Sequence, residues 1–517
     1  MSPSVWSERS EGSERAPLLR LPLPGASRTP GAPEGVVERD SQWRQHMAAI
    51  LGTLLSVSAG TVLGWTSPAL PLLGLPEQAE AWVGSLAPLA ALLAALPAGM
   101  LADRLGRRRL LIWLGLPYLL GFVMLAFASS SRLWLVYLGR LTCGVSMGAS
   151  TLVLPLYCDE LAEDRIRGAL GVYLDLNMTV GILFVYVLGA YLTVFWMSLA
   201  CAAVPLVFLC TFPLMPESPV HLLAKGRHRE ASESMAFLRP NRDFGPEMAV
   251  MQKMVDEAAE RERKRSRVYS NGVSGATELA ATKEGALPSP TAPAPPPPPP
   301  GPADPPAPAT RRAVCLVLGL MGFQQLCGIN AIIFYTVDIF QAAGSSVSPW
   351  VATMVVGVVQ VAASVVSFAV VDRLGRRVLL ASSCALMALS LALLAAYFYP
   401  GSPLRAWGAL PVTALSVYIF FYSWGFGPLP WFMMAELLPV DAKEWGTAAA
   451  IATNWALVFL VTNTFQGFVE ATGRSATYAM FSGVCVAGLA FVALLIPETK
   501  GRSQEDIQAM LQEGRVT

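Results

Sequence analysis

The chain has 517 residues, of which 54% are hydrophobic and only 14% are charged, and its mean hydropathy is +0.49. A soluble domain carries about 25% charged residues because its surface faces water, so this composition excludes a water-soluble protein and indicates a lipid-facing surface. The net charge of +1 gives no basic field for nucleic acid. The eight cysteines and three histidines show no metal-ligand spacing, and no phosphate-binding loop is present, so we expect no metal, cofactor or enzymatic activity.

Twelve apolar runs approach the roughly 20 residues that a membrane-spanning helix needs, and they form two sets of six. We therefore predict an all-α membrane protein with 12 transmembrane helices in two six-helix halves, at 46–214 and 314–496. A linker at 215–313 joins the halves and combines helices with a proline-rich segment. We expect residues 1–45 to form a disordered cytoplasmic tail and residues 497–517 a second cytoplasmic tail. The predicted runs are roughly 47–69, 81–101, 110–128, 133–156, 169–191, 196–214, 314–341, 349–371, 377–398, 408–434, 446–466 and 476–495.

The hexapeptide Asp-Arg-Leu-Gly-Arg-Arg occurs twice, at 103–108 and at 372–377, directly after the second and the eighth apolar runs. The same six residues at equivalent places indicate two homologous halves in parallel repeat. Basic residues are concentrated in the loops on this side, whereas the other side has only Arg132, Arg405 and Arg474. The excess of basic residues predicts that this side and both termini are cytoplasmic.

Two segments outside the apolar runs resemble partner motifs. Glu14, Leu18 and Leu19 fit the acidic dileucine pattern that clathrin adaptors read, although so short a pattern also arises by chance. Residues 284–309 are dominated by proline, with six in a row at 295–300. Such a segment predicts a polyproline II spacer that could bind an SH3 or WW module, and a spacer without a partner is the simpler alternative.

Charged residues of both signs lie together in the basic loops. Basic residues alone would be explained by topology, whereas acidic residues beside them favour guanidinium–carboxylate latches between helix ends. Latches that break when the opposite side closes are one way to give alternating access. The predicted cytoplasmic gate consists of Arg107, Arg108 and Arg167 with Glu160 in the first half, and of Arg376, Arg377 and Lys443 with Glu436 in the second.

Uncharged polar side chains recur inside the apolar runs of the second half. Amides and an indole suit a sugar, because its hydroxyls both donate and accept hydrogen bonds and its C–H face stacks on an aromatic ring. A single buried amide would indicate interhelical contact only, whereas several that converge favour an uncharged polar ligand. The segment 425–431, rich in glycine and proline, predicts a broken tenth helix. The candidate binding residues are Gln324, Gln325, Asn330, Gln360, Trp431 and Asn454.

An ordered set of motifs from about residue 60 to residue 502 resembles the sugar-porter branch of the major facilitator superfamily, close to the facilitative glucose transporters. The resemblance implies the major facilitator fold, sugar transport, and sugar contacts at the six positions named above. The short loop after the first run and the dileucine pattern indicate the intracellular and trehalose-transporter-like members rather than the plasma-membrane glucose carriers. The matching segments are 103–108, 139–140, Glu160 with 167–171, 216–219, 324–330, 372–377, 427–431 and 497–502.

Asp175 departs from that family, in which many glucose transporters have a sugar-contacting glutamine at this position. A carboxylate inside a membrane span must face a wet cavity or a partner. Three interpretations are open: it accepts hydrogen bonds from the sugar, it titrates and couples transport to protons, or it pairs with Arg140. Against proton coupling, Val62 occupies the place where sugar–proton symporters of this branch carry an acid.

The sequence thus predicts facilitative sugar uniport by alternating access. A proton-coupled sugar or polyol symporter using Asp175 is the first alternative, and a sugar sensor that does not transport is a remote one, because the predicted gate charges are all present. Glucose, fructose and a disaccharide such as trehalose are all plausible cargoes. The expected location is the plasma membrane or an endosomal or lysosomal membrane.

Overall fold

The computed structural model describes residues 37–163, 165–240, 243–260, 263, 308–439 and 442–513. Among these residues, 12 helices are long and apolar enough to cross a membrane, in agreement with the sequence prediction. The acidic dileucine pattern, residues 284–307 of the proline-rich segment and the side chain of Arg167 lie outside the described residues. Two boundaries differ from expectation: the first helix begins at Val37, inside the segment predicted to be a disordered tail, and the seventh begins at Pro308.

We number the membrane-crossing helices as spans 1 to 12. Span 1 consists of three consecutive helices, Val37–Gly52, Leu54–Gly64 and Thr66–Leu73, and spans 2 to 6 are Glu77–Leu105, Arg107–Ala126, Leu133–Leu161, Arg167–Tyr191 and Val194–Thr211. Span 7 consists of Pro308–Leu326 and Ile329–Phe334, followed by the short helix Thr336–Ala343. Spans 8 and 9 are Pro349–Leu374 and Arg376–Phe398, span 10 runs from Leu410 to Leu437, and spans 11 and 12 are Lys443–Thr472 and Arg474–Leu495. Shorter helices lie between and after the halves, at Pro219–Ala224, His228–Leu238, 245–260 and Gln504–Glu513.

Spans 1–6 form the N-half and spans 7–12 form the C-half. Within the N-half, span 4 packs on spans 2 and 3, and span 1 packs on span 5; within the C-half, span 9 packs on spans 10 and 12. The halves meet along two further pairs, span 2 with span 11 and span 5 with span 8. Small residues allow the closest approaches: a Cβ at Gly148 would lie 2.1 Å from the carbonyl oxygen of Ala91. Such contacts let backbones pack by dispersion where lipid gives helices no hydrophobic reason to associate.

The repeated hexapeptide makes the same turn in both halves. Gly106 and Gly375 have φ of 98° and 88°, a conformation that glycine adopts readily, and each joins two consecutive spans. Glu217 accepts a hydrogen bond from the backbone N–H of Arg108 at 2.8 Å, and Glu498 accepts one from that of Arg377 at 3.1 Å. Each carboxylate thus satisfies a free N–H at the start of a helix, where negative charge is stabilising. We call the end of the bundle that carries these turns the basic end, and the other the opposite end.

Candidate functional site

Spans 7 and 10 are interrupted, and the interruptions position the candidate site. Span 7 is interrupted at Gly328. In span 10, the helix Leu410–Phe421 is followed by a wider helical turn at Tyr422–Phe426 and then by the helix Leu429–Leu437. The predicted break in span 10 is therefore confirmed. Its cause is local, because Pro428 and Pro430 have no N–H to continue the helical hydrogen bonds.

Side chains from neighbouring spans satisfy the carbonyl groups that the break in span 10 releases. Pro430 cannot bond Phe426 O, and Gln324 Nε2 donates to that oxygen and to Gly427 O, both at 2.8 Å. Pro428 cannot bond Trp424 O, and the Ser367 hydroxyl donates to it at 3.1 Å. An unpaired carbonyl in a lipid-embedded protein would cost several kcal/mol, on the order of the transfer penalty of an amide, so these contacts stabilise the broken form.

Four of the predicted amides form one hydrogen-bonded chain. Asn454 Nδ2 donates to Gln324 Oε1 at 2.8 Å, Gln325 Nε2 approaches the same oxygen at 3.4 Å, and Asn330 Nδ2 donates to Gln325 Oε1 at 2.5 Å. All four side chains are buried. We call Gln324, Gln325, Asn330 and Asn454 the amide network. Since both hydrogens of the Gln324 amide point at backbone carbonyls, Gln324 joins the network to the break in span 10.

The other predicted binding residues lie outside the amide network. Trp431 is half-buried, in the last helix of span 10. Gln360 is buried in span 8, and its Oε1 atom makes no hydrogen bond. Asp175 is half-buried in span 5, and its carboxyl group faces Ser364 of span 8. Asp175 and Gln360 are therefore on the two helices that join the halves.

Arg140 is held by backbone oxygens. Its guanidinium donates to Val62 O at 2.6 Å, Val83 O at 2.9 Å and Gly84 O at 3.4 Å, and it lies over the Trp65 ring with 5.9 Å between its Cζ atom and the ring centroid. The interpretation of Asp175 as the partner of Arg140 finds no support in these contacts. The buried guanidinium is satisfied by carbonyl dipoles, which do not titrate.

At the basic end, Arg107 forms a buried charged contact with Glu160, the pair that the sequence places together; its role in a gate stays a prediction. Arg107 is fully buried, and its Nε lies 3.0 Å from Glu160 Oε2 while its Nη2 donates to Glu160 Oε1 at 3.0 Å. Asp103 adds a second carboxylate, 3.0 Å from Arg107 Nη1. This pairing joins the junction of spans 2 and 3 to the end of span 4.

His221 completes the surroundings of Arg107. Arg107 Nη1 donates to His221 Nδ1 at 2.8 Å, and the imidazole lies in the linker helix Pro219–Ala224. The pKa of His221 is lowered to about 3 from its ordinary 6.5, first by burial and then by the positive charge of Arg107. The neutral imidazole therefore accepts this hydrogen bond throughout the physiological range.

The C-half repeats the contact in a looser form. Arg376 Nη2 lies 3.4 Å from Glu436 Oε1, and both side chains are partly exposed. Arg108 and Arg377 take equivalent places, where they donate to the carbonyl oxygens of Pro213 and Ala493 at the ends of spans 6 and 12. The assignment of Arg108 and Arg377 to the cytoplasmic gate stays a prediction. Lys443 lies at the first position of span 11, at the basic end.

Hydrogen bonds cross between the halves near the opposite end. The Tyr186 hydroxyl donates to Ile333 O at 2.8 Å, Val337 N donates to Ser67 Oγ at 3.1 Å, and Asn463 Nδ2 donates to Ser85 Oγ at 2.9 Å. Each of these bonds joins an N-half residue to a C-half residue. Together they close the two halves against each other beside the break of span 7.

A cavity of about 170 Å³ lies at this closed end, between span 1, the start of span 2 and the segment after span 7. Its lining includes two carboxylates, Glu80 and Asp338, and the side chain of Tyr335. Arg474 Nη2 lies 3.3 Å from Asp338 Oδ2. No motif in the sequence points to this cavity, because its wall comes from both halves.

The sequence model of the family described as "Sugar (and other) transporter" matches residues 68–277 and 307–511. The match covers most of the chain. The chain belongs to the sugar transporter family. It is an integral, multi-pass membrane protein and not an enzyme. Its substrate is a sugar, and its surroundings are the lipid bilayer.

Among curated proteins, this sugar transporter is 36% identical to the "Facilitated trehalose transporter Tret1" of Bombyx mori, over 91% of this chain and 88% of that protein. It is 35% identical to the protein of the same name from Aedes aegypti, over 92% of this chain. The match spans only 56% of the mosquito protein and 52% of the one from Drosophila yakuba.

Solved structures show that this sugar transporter has the major facilitator fold. The inward-open xylose transporter XylE from E. coli matches with a TM-score of 0.68 and 20% identity, over 90% of this chain and 98% of that chain. The "proton:xylose symporter XylE bound to 6-bromo-6-deoxy-D-glucose" matches with a TM-score of 0.65 and 21% identity, over 91% and 98% of the two chains.

Several residues at the basic end and beside the candidate binding residues of this transporter were not predicted from the sequence. Glu217 and Glu498 both follow a proline in the similar segments 216–219 and 497–499, and that repeat was the available signal. Ser364 follows Gln360 by four residues, so helical spacing puts them on one face. Tyr422 lies at the break of span 10, which was predicted from glycines and prolines alone. His221 had no signal, because its partner Arg107 is 114 residues away.

Proposed function

We propose that this chain carries a sugar down its gradient by alternating access, with the amide network as part of the binding site and the basic end in the cytoplasm. The observation that carries the proposal is the amide network itself. Four buried amides from spans 7 and 11 converge beside the breaks of spans 7 and 10, and Gln324 bonds directly to the broken segment. A sugar bound to these amides would therefore act on the segment that bends.

The expected cycle follows from the contacts at the two ends. The halves are bonded to each other near the opposite end, through Tyr186, Ser67 and Asn463. Release of sugar toward the basic end fits this arrangement. The reverse state requires those bonds to break and the ends carrying Arg107 and Arg376 to approach. The pairs of Arg107 with Glu160 and of Arg376 with Glu436 each lie within one half and are formed while the opposite end is closed, unlike latches that break on that closure. We therefore assign them to holding each half together during the motion.

Uniport is favoured over proton symport by the surroundings of Arg140. Its partners are the backbone oxygens of Val62, Val83 and Gly84, none of which gains or loses a proton. Asp175 is the one candidate for proton coupling that the sequence proposed, and it faces Ser364. We assign Asp175 to hydrogen bonding with the substrate.

The substrate class is a hexose or a disaccharide. The curated relatives carry the name of a trehalose transporter, and Asp175 replaces the glutamine expected in a glucose carrier, which supports the disaccharide. The test is reconstitution in liposomes with labelled glucose, fructose and trehalose, with and without a pH gradient. We expect saturable flux of at least one sugar, equal under both conditions. Absence of flux for all three would overturn the proposal.

The membrane and the partners of the tails complete the proposal. We propose that Glu14, Leu18 and Leu19 bind a clathrin adaptor and retain the transporter in endosomal or lysosomal membranes rather than the plasma membrane. Replacement of Leu18 and Leu19 by alanine should move the protein to the cell surface, measured by surface biotinylation. Binding of an SH3 or WW module to residues 284–309 would be tested by pull-down with the proline-rich peptide.

A further inference from the structure

Acidic side chains from both halves meet at the rim of the opposite end. The carboxyl groups of Glu77, at the start of span 2, and of Glu470, near the end of span 11, lie within hydrogen-bond reach of each other. Both residues lie about two helical turns outward from the hydrogen bond between Ser85 and Asn463 that joins these two spans. The closed contact between the halves therefore ends, on its outer side, in a pair of acidic groups.

A second acidic pair lies at the cavity of this end. Glu80 of the N-half and Asp338 of the C-half both line the cavity of about 170 Å³, and Glu80 is within electrostatic reach of Asp338 and of Glu77. We call Glu77, Glu80, Asp338 and Glu470 the acidic seam. Each of its two pairs takes one carboxyl group from each half, so the members of a pair separate when this end opens.

Positive charge compensates the acidic seam only in part. Within the described part of the chain, the ion pair that reaches the seam is that of Arg474 of span 12 with Asp338, at 3.3 Å. Arg405 donates instead to the backbone oxygens of Tyr397 and Phe398, both at 3.4 Å. The other charged or titratable groups on the elements packed around the seam are Arg132 before span 4, Arg140 within span 4, Tyr335 of span 7 and Tyr478 of span 12.

The acidic seam makes the closed form of this end sensitive to protons. Two carboxylates brought together by closure repel each other, whereas a proton on one of them removes the repulsion and lets that carboxyl group donate a hydrogen bond to the other. Opening separates the two groups and removes this advantage. A proton therefore binds the closed form more tightly than the open form, and a ligand with that preference shifts the equilibrium toward closure.

We propose that the acidic seam is an acid-sensitive gate, which holds the opposite end shut when the solution on that side is acidic. The inference takes alternating access from the proposed function and goes beyond it. Because the seam lies outward of the closed contact, its protons come from one side of the membrane and return to the same side. Acid on that side should slow the exchange of sugar in both directions without driving accumulation.

This gate is distinct from energy coupling. A symporter carries protons across the membrane, whereas the acidic seam exchanges them with the opposite end alone. Comparisons of uptake with and without a pH gradient therefore keep the pH at the opposite end constant and vary it at the basic end.

The test measures the distance between two spin labels across the opposite end, by double electron–electron resonance on the full chain in lipid nanodiscs. The labels are attached at the exposed positions Ser131→Cys in the N-half and Ala406→Cys in the C-half, and the exposed Cys210 and Cys315 are replaced by serine. Between about pH 7.5 and about pH 5, we expect the population at the longer distance to fall at least about threefold, the shift that relief of one exposed like-charge contact gives.

Neutral variants test which residues respond. Glu80→Gln combined with Glu470→Gln keeps the size of both side chains and removes one charge from each pair, so this variant should show the small open population at both pH values. The matched control combines Glu233→Gln with Glu505→Gln, two exposed acidic residues of helices outside the opposite end. The control should keep the pH response of the parent. If the seam variant does not fold, Glu77→Gln at an exposed position takes its place.

The outcomes separate this inference from the proposed function. An open population that is the same at both pH values in the parent, or that falls equally in the parent and the seam variant, would overturn the gate. The distance measurement needs no sugar flux. An acid response in a protein that transports none of the tested sugars contradicts the proposed function and supports the gate, whereas sugar transport without an acid response contradicts the gate alone.

Discussion

Arg140 donates a 2.6 Å hydrogen bond to the backbone oxygen of Val62, in the place where an acid would be expected in a proton-coupled sugar porter. A proton symporter needs a group that gains and loses a proton during the cycle, and a peptide carbonyl does neither. The side chain of Val62 is fully buried, so water does not replace the missing acid. This contact and Asp175 are therefore the places at which the proposed uniport is tested.

Transport should be independent of a proton gradient. In liposomes, initial uptake should be the same with an imposed pH gradient and after its collapse by a protonophore, and sugar should not accumulate above its equilibrium level. Asp175→Asn keeps an oxygen acceptor toward the substrate, so it should retain at least about a fifth of the uptake, since a neutral hydrogen bond is weaker than a charged one by about 1 kcal/mol. Accumulation that Asp175→Asn abolishes would instead establish symport.

Gln324→Glu should abolish transport although it changes one atom. The carboxylate places an oxygen beside Phe426 O and Gly427 O, where the Nε2 donor stood 2.8 Å away, so repulsion replaces two hydrogen bonds. We expect uptake to fall at least about 100-fold, on the order of the 3 kcal/mol that a buried unsatisfied charge costs.

The control for this change is Gln508→Glu. Gln508 Nε2 also donates to a carbonyl of span 10, Leu437 O at 2.8 Å, but at the basic end and from the helix Gln504–Glu513. This variant should retain most of its uptake. Similar losses in both variants would show that the effect is not specific to the amide network.

Glu160→Gln should destabilise the protein more than Glu436→Gln. The partner of Glu160, Arg107, has a fully buried side chain, whereas Arg376 beside Glu436 keeps 18% of its side chain exposed. Breaking a buried pair costs about 3–5 kcal/mol, and an exposed pair contributes about 0–1 kcal/mol. Thermal unfolding in detergent should show a clearly larger fall in Tm for Glu160→Gln. Equal falls would mean that water reaches Arg107.

His221 should make the protein less stable in acid. Its pKa is about 3 in the folded state and about 6.5 when exposed, so the unfolded state binds one more proton between these values. The stability that the neutral imidazole contributes is complete above about pH 6.5 and is lost as the pH falls, by about 1 kcal/mol at pH 5 after allowance for screening.

His221→Asn tests this assignment. The asparagine oxygen can take the place of Nδ1 as acceptor for Arg107 but does not titrate. The variant should have the same Tm as the parent near pH 8, and its Tm should fall less than that of the parent between pH 8 and pH 5. An identical acid sensitivity in both proteins would assign the effect to other groups.

The sequence was sufficient for the fold because membrane insertion is a local property. Each span is recognised by its own apolar length, and the Asp-Arg-Leu-Gly-Arg-Arg repeat shows two halves without any knowledge of packing. The break in span 10 was likewise predictable from Pro428 and Pro430, since a missing N–H acts on its own helix. Arg107 with Glu160 followed from their types and their place at helix ends.

The partners of the candidate site required the tertiary structure. Gln324 and Asn454 are 130 residues apart, and Asp175 and Ser364 belong to different halves, so no sequence spacing relates them. The sequence supplied the amides that could bind a sugar. Only the packing of spans 5, 7, 8, 10 and 11 decided which amides bond to one another, which carbonyls they satisfy, and which polar atoms remain for a ligand, because a hydrogen bond depends on distances that the whole fold sets.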